Sequence, residues 1–268
     1  MKKYLSILLR KFGLAGIADR LRFRIERLKQ HKENRSFANL HPDFRFPPDY
    51  FIYETYLLSY KDYYEDGKAT AELIKALASK YIDFDRAKSI LDWGCGPGRV
   101  IRHFPLLGGS SHQYSGSDYN EKYTGWCAKN IPGISFFVNE LSPPLEVKSD
   151  SFDLVYGLSI FTHLSEKAHY DWMHEIFRIL RPGGIFIFTT HGDGSLEKLT
   201  PSELEDYRNG NFVSRSFLKE GHRMYSSFQP EKFMDKIRGK FTLLEFIPGG
   251  KSSDIGYQDC RIFRKPFI

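Results

Sequence analysis

The strongest chemical signal in the chain is the segment Ile90-Leu91-Asp92-Trp93-Gly94-Cys95-Gly96-Pro97-Gly98-Arg99. An apolar run leads into a glycine-rich turn and then toward a helix. Glycine permits tight backbone geometry and lets the main chain approach a ligand. A helix starting after the turn offers free N–H groups. Glycine loops of the GxGxxG type serve nicotinamide and flavin nucleotides. This loop is spaced GxGxG, and Asp92 stands two residues before its first glycine. A carboxylate there is poorly placed for a pyrophosphate. It suits a cofactor carrying a cationic amino-acid moiety. Asp118 follows Gly98 by twenty residues. At the end of the next strand, a carboxylate can accept hydrogen bonds from both hydroxyls of a ribose.

These residues need elements to position them. From Ser89 onward, strand and helix signals alternate. The pattern predicts strands at Ser89–Trp93, Gln113–Ser117, Ile134–Val138, Phe152–Gly157 and Ile185–Thr190, with Asp118 closing the second. Helices are expected to begin at Arg99–Phe104, over 121–129 behind Asn120, and behind Ser165. The last of these buries Trp172, Met173, Ile176, Phe177 and Leu180, and Arg181-Pro182-Gly183-Gly184 stops it. A helix from Pro230 to Arg238 and strands at Phe241–Ile247 and Tyr257–Phe263 close the chain. Such alternation predicts a doubly wound α/β fold, its parallel sheet covered on both faces. Right-handed crossovers bring the strand C-termini to one edge, where ligands bind. The short link PGGKSSDIG favours a final antiparallel hairpin.

The chain has 268 residues, enough for one large domain with an extension. Three units are expected: a basic amphipathic extension (1–40), a helical preface or cap (41–88), and the α/β domain (89–268). The stretch 191–229 is long for a connection and reads as a lid or substrate insertion carrying Tyr207, Arg215, His222, Arg223 and Tyr225. Within the preface, 50–81 is helical, with TAELIKALASKY a strong helix over 70–81. The net charge of +6 is concentrated. Residues 1–30 hold nine basic and two acidic side chains, a net +7, so the other residues total −1. Those first 30 residues read as two short amphipathic helices broken at Gly13. Leu5, Leu8, Leu9 and Phe12 share one face, and Ile17, Leu21, Ile25 and Leu28 continue at helical spacing. A basic amphipathic helix of this kind can lie on an anionic membrane; it can equally pack on its own body or on a twin subunit. Residues 31–48 read as a linker.

Cys95, Cys127 and Cys260 are far apart, and no CxxC or Cys/His cluster points to a metal. No apolar stretch approaches the length of a membrane span, and the start lacks the cleavage site of a signal peptide. The expected location is cytoplasmic, and peripheral membrane contact through residues 1–30 is the alternative to their packing on the body.

The segments ILDWGCGPGR, SDYN (Ser117–Asn120), FDLVYGLSIFTHL (Phe152–Leu164) and LRPGG (Leu180–Gly184) resemble, in order and spacing, the successive motifs of class I S-adenosylmethionine-dependent methyltransferases. The resemblance spans roughly residues 85–190. It implies a Rossmann-like seven-stranded sheet in the order 3-2-1-4-5-7-6, with strand 7 antiparallel, and S-adenosyl-L-methionine as cofactor. It also implies roles. Asp92 would orient the loop and the methionine ammonium, and Gly94, Cys95, Gly96 and Gly98 would line the methionine and ribose. Asp118 would bind the ribose diol and Tyr119 would flank the adenine. Asn139, where Asp is frequent, would serve the adenine edge. Leu158 and Ser159 would sit where the fourth strand opens onto the methyl group. For an oxygen acceptor, a histidine base is the usual partner; His163 and His191 follow the fourth and fifth strands.

Tyr53 and Gly67 in the helical preface, GCGPGRVIRH and the closing GYQDCRIFRKP are similar to methyltransferases of bacterial glycan and natural-product pathways. That similarity implies a hydroxyl or carboxyl acceptor on a small molecule or glycan, with the basic helix near a lipid-linked acceptor. Two other classes compete. A nicotinamide-dependent oxidoreductase conflicts with Asp92 and the GxGxG spacing. A silent S-adenosylmethionine-binding or scaffold subunit conflicts with the intact loop and Asp118. Nucleic-acid methylation is disfavoured by the near-neutral body and by Gly157-Leu158-Ser159-Ile160 standing where DPPY or NPPY would be.

Overall fold

A computed structural model describes residues 15–56, 58–86, 88–109, 111–215, 219–251 and 256–267. The expected helix over Leu5–Phe12 and the break at Gly13 lie outside the described residues.

Three helices precede the sheet: α1 (Ala15–Leu40), α2 (Asp49–Tyr56) and α3 (Tyr60–Ser79). The expected linker begins later than its composition suggests, because α1 continues through residues 31–40. Two contacts fix this turn of the helix. Asn34 donates to Leu58 O at 2.8 Å and accepts from Tyr60 N at 2.9 Å, and Phe37 packs edge-on to Phe46 and Tyr64. A polar stretch reads as a linker when its few body-facing residues are not recognised. The 50–81 stretch is two helices rather than one. Leu58 takes φ 67, and Ser59 restarts the helix by accepting from Asp62 N.

The sheet contains β1 (Ser89–Trp93), β2 (Gln113–Asp118), β3 (Ser135–Val138), β4 (Phe152–Gly157), β5 (Leu180–Thr190), β8 (Thr242–Ile247) and β9 (Asp259–Arg264). Its order is β3-β2-β1-β4-β5-β9-β8, with β9 antiparallel to both neighbours. This is the topology that the motif order implied. Between them lie α4 (Phe104–Gly108), α5 (Glu121–Asn130) and α6 (Glu166–Ile179). Asn120 and Ser165 cap α5 and α6 as read from the sequence. Where a helix was expected from Arg99, the chain instead makes a turn, a 3₁₀ segment Ile101–His103 and then α4. β5 is assigned from Leu180, and a register shift opposite Phe152 and Leu154 absorbs the Pro-Gly-Gly turn.

Alternation along the strands sorts two cores. Leu91, Trp93, Phe186 and Phe188 face α6 and pack with Trp172 and Ile176. Ile90, Leu154, Ile185 and Ile187 face α3 and pack with Ala71 and Ile74. The 191–229 stretch is folded rather than an open loop. It holds α7 (Pro201–Arg208), a two-stranded ribbon of β6 (Val213–Arg215) and β7 (Ser226–Phe228), and a small core of Leu199, Tyr207, Val213 and Phe228. α8 (Glu231–Ile237) then returns the chain to the sheet. Among the described residues, no helix is long and apolar enough to cross a membrane.

Candidate functional site

Parallel register gathers the chemistry. Trp93 pairs with Ser117 and Asp92 with Tyr156, so the glycine loop, Asp118 and the turn after β4 emerge side by side. The chain order reverses between β1 and β4, which opens a crevice at their C-terminal ends. A cleft of about 480 Å³ occupies this crevice.

The loop is clamped by backbone contacts. Gly94 N and Cys95 N donate to Ser117 O at 2.8 and 2.9 Å, and the Tyr63 hydroxyl of α3 donates to Pro97 O at 2.8 Å. Gly94, at φ +76, leaves no room for a side chain: a Cβ would lie 2.1 Å from Ile160 Cδ1. Gly96, at φ +52, differs. A Cβ there would meet nothing within 4 Å, so the main chain borders open space in the cleft. Asp118 accepts from Gly96 N at 2.9 Å and from Asn120 N at 2.8 Å, one bond to each carboxylate oxygen. Each oxygen keeps acceptor capacity for a ribose hydroxyl.

Two buried carboxyls charge this floor. Burial pushes Asp92 up to about 7, against the opposing pulls of the Tyr156 hydroxyl and Arg99. Burial raises Asp118 to about 6, against its two backbone donors. A cationic group above Asp92 would favour its ionised form.

Beside the cleft lies a smaller recess of about 60 Å³, walled by Trp93, Leu141, Leu164 and Trp172. Tyr119 lines both spaces and donates its hydroxyl to Gly221 O at 3.0 Å. Asn139 faces the recess. Its amide nitrogen donates to Glu140 O at 2.6 Å, while its Oδ1 is buried without a partner. An apolar slot with one unsatisfied acceptor fits an aromatic base bearing an exocyclic amine.

Residues 90–184 match the family model described as a methyltransferase domain. The chain carries a methyltransferase domain. The match leaves the N-terminal helices and the 191–229 insertion outside it. A curated relative from Mycolicibacterium smegmatis, described as a probable S-adenosylmethionine-dependent methyltransferase, is 28% identical over 103 residues, 38% of either chain. The matched stretch thus spans well under half of that relative. Among solved structures, the chain's fold is similar to a SAM-dependent methyltransferase of Methanosarcina mazei (19% identity, 72% of this chain and 98% of that one, TM-score 0.56). It is also similar to the CcbJ methyltransferase of Streptomyces caelestis (16%, 75% and 90%, 0.53). At these identities the likeness concerns the fold.

Of the residues singled out from the sequence, the methyltransferase domain brings Asp92, Gly94, Cys95, Gly96, Asp118, Tyr119, Leu158, Ser159 and His163 to the cleft, and Asn139 to the recess. Ser159 takes φ 61 and is pinned: its N donates to Thr189 Oγ1, and its hydroxyl to Gln258 Oε1. Gly98 does not line the cleft. A Cβ there would strike Ile131 Cδ1 at 2.6 Å, so its glycine serves packing of the loop onto α5.

The two histidines separate. His163 Nδ1 lies 2.8 Å from Tyr225 O. A carbonyl only accepts, so Nδ1 carries the proton and Nε2 keeps its lone pair in the neutral ring. Burial lowers the ring's pKa, holding it neutral. His191 is elsewhere. Its Nδ1 donates to Ser227 O, Lys198 Nζ lies 3.4 Å from Nε2, and the ring stacks on Phe228. Burial and Lys198 lower it to about 3. Both ring nitrogens of His191 are engaged, and it is not among the residues lining the cleft.

Sequence reasoning missed Glu54 and Thr55 of α2 and Tyr123 of α5, all lining the cleft. Tyr123 donates its hydroxyl to Glu54. Nothing in their local sequence marks them, because α2 reaches the cleft only by packing. His222 and Arg223, noted within the insertion, form part of the wall.

Proposed function

We propose that this chain transfers the methyl group of S-adenosylmethionine to a hydroxyl of a small molecule or glycan. The cofactor part rests on the methyltransferase domain together with the Asp92, Gly96 and Asp118 geometry. Asp92 would face the methionine ammonium, Asp118 would hold the ribose diol, and the recess with Asn139 Oδ1 would take the adenine. When bound, the cofactor supplies an electrophilic methyl on a sulfonium.

The observation that carries the acceptor class is the tautomer of His163. Its Nδ1 is held by Tyr225 O, so Nε2 carries the lone pair of the neutral ring, and the residue lines the cleft. A hydroxyl acceptor needs its proton removed as its oxygen attacks; a carboxylate does not. Burying a base for a carboxylate acceptor would serve no purpose, so the hydroxyl is favoured. The walls supplied by the insertion exclude water and align the acceptor. The proposed place of work is peripheral, with the basic N-terminal helix against an anionic membrane.

Calorimetry of the purified chain should show S-adenosylhomocysteine binding and no response to NADH; the reverse ends the reading. Incubation with S-adenosylmethionine and a panel of hydroxyl and carboxyl acceptors, read by mass spectrometry, assigns the acceptor class. His163→Gln should then lower turnover by about 10²–10⁴-fold while S-adenosylhomocysteine affinity stays. Unchanged turnover removes the base.

A further inference from the structure

Helix α1 has two opposed faces. Asp19, Phe23 and Asn34 face the body. Phe23 packs on Tyr50 and Tyr53 at 5.2 and 5.3 Å between ring centroids, and Asn34 joins Leu58 and Tyr60. The outward face carries Ile17, Leu21, Ile25 and Leu28, which are 67, 58, 43 and 81% exposed. Their spacing of four, four and three residues places them in one stripe. Basic residues border it on both sides. Arg20, Arg24 and Arg27 each precede a stripe residue, and Arg22 and Lys29 follow Leu21 and Leu28. Arg27 also reaches Asp49 at 2.8 Å and Lys29 reaches Glu26 at 3.2 Å, yet both remain mostly exposed.

This arrangement distinguishes the occupants. A second copy of the chain on this face would bring like-charged borders together. A nucleic acid would use the arginines but not four aliphatic side chains. An anionic bilayer uses both, taking the stripe into the acyl boundary and the cations at phosphate level. We propose that this outward face of α1 is a docking surface for an anionic lipid bilayer, and that docking holds the rim of the cleft one helix diameter, ~10 Å, from the headgroups. The rim lies directly under the helix. Asp19, on its inner side, pairs with Arg223 of the cleft wall and accepts from the Tyr53 hydroxyl at 2.9 Å. The inference rests on the membrane part of the reading above and names the residues that perform it; it does not depend on methyl transfer.

The test uses the full chain and vesicles of phosphatidylcholine with and without phosphatidylglycerol. The chain should co-sediment with the anionic vesicles alone, and high salt should release it. Ile17→Ser/Leu21→Ser/Leu28→Ser leaves the inner face untouched, and should weaken vesicle binding at least about tenfold while melting and S-adenosylhomocysteine binding are unchanged. Arg20→Glu/Arg24→Glu should weaken it similarly. Failure of the unaltered chain to bind any vesicle overturns both the membrane reading and this surface. Binding that survives the triple substitution but is lost on deleting residues 1–14 keeps the membrane reading and overturns this surface. A triple variant that converts a dimer into a monomer without lipid assigns the stripe to a second copy and overturns the proposal.

Discussion

Asp92 and Asp118 titrate near neutrality, and this makes their proposed roles measurable. Asp92 sits at about 7 and Asp118 at about 6, both raised by burial. An ammonium and a ribose diol need ionised acceptors. S-adenosylhomocysteine affinity should therefore fall as pH drops from about 8 to about 5.5, measured by calorimetry; a flat profile removes both assignments. Stability runs the other way. A carboxyl whose folded pKa is raised binds its proton more tightly folded than unfolded. Its contribution is full below the unfolded value of about 3.9 and is lost as pH rises through 6 to 7. The ligand-free melting temperature should carry this downward component over the window in which affinity climbs. Asp118→Ala isolates one site. It would delete the two charge-assisted hydrogen bonds proposed to the diol, each on the order of 1.5–3 kcal/mol, and would also untie Gly96 N and Asn120 N. Affinity should drop at least about tenfold while the chain still folds, and unchanged affinity refutes the ribose role.

At the scale of elements, α3 is the strut behind the glycine loop. Tyr63 holds Pro97 O, and one turn later Gly67 lies so close that a Cβ would sit 2.5 Å from Arg99 O. Gly67→Ala gains helix propensity but forces the strut off the loop, and overpacking of about 1–3 kcal/mol outweighs a gain of about 0.5–1 kcal/mol. It should lower both the melting temperature and cofactor affinity. Gly125→Ala, on exposed α5 with nothing within 4 Å of its Cβ, should raise the melting temperature instead. Equal effects at the two sites would show that the close approach is unimportant. The sheet was legible beforehand because its strands are apolar runs bounded by motifs of fixed spacing, and Asp92 and Asp118 sit at strand ends that register alone brings together. That Gly98 packs against Ile131 and His191 against Phe228, outside the cleft lining, was not legible, because those neighbours lie more than thirty residues away in sequence. The continuation of α1 past His31 was hidden because Asn34 and Phe37 hold it by contacts outside the helix, to Leu58 and Tyr60 and to Phe46 and Tyr64. Glu54 and Tyr123 could not be found at all, since only the packing of α2 against α5 unites them.

At the scale of the whole molecule, three distant parts of the chain meet at one wall of the cleft, with α1 bracing that wall from behind. α1 supplies Asp19, α2 supplies Tyr53, and the insertion supplies Glu220, Gly221, His222 and Arg223. Glu220 accepts from Ser165 N at 2.6 Å, Gly221 N donates to His163 O at 2.9 Å, and Tyr119 donates to Gly221 O. Arg223 bridges to Asp19 across 204 residues and lies over the Tyr53 ring at 5.0 Å. The segment that holds His163 in place is thus itself held by the N-terminal helix, which lies outside the matched methyltransferase domain. Asp19→Asn tests this dependence. The amide keeps the size of the carboxyl but loses the charge that pairs with a half-buried guanidinium, at a cost of about 1.5–3 kcal/mol. Because that cost falls on a local closure, it should appear as opening of residues 219–225. Each 1.4 kcal/mol raises the open population about tenfold. Limited proteolysis within that segment should quicken accordingly, and hydrogen exchange there should lose protection. S-adenosylhomocysteine should bind several-fold more weakly although Asp19 touches no cofactor position. Unchanged cleavage together with unchanged affinity would mean that the insertion holds its place without the N-terminal helix.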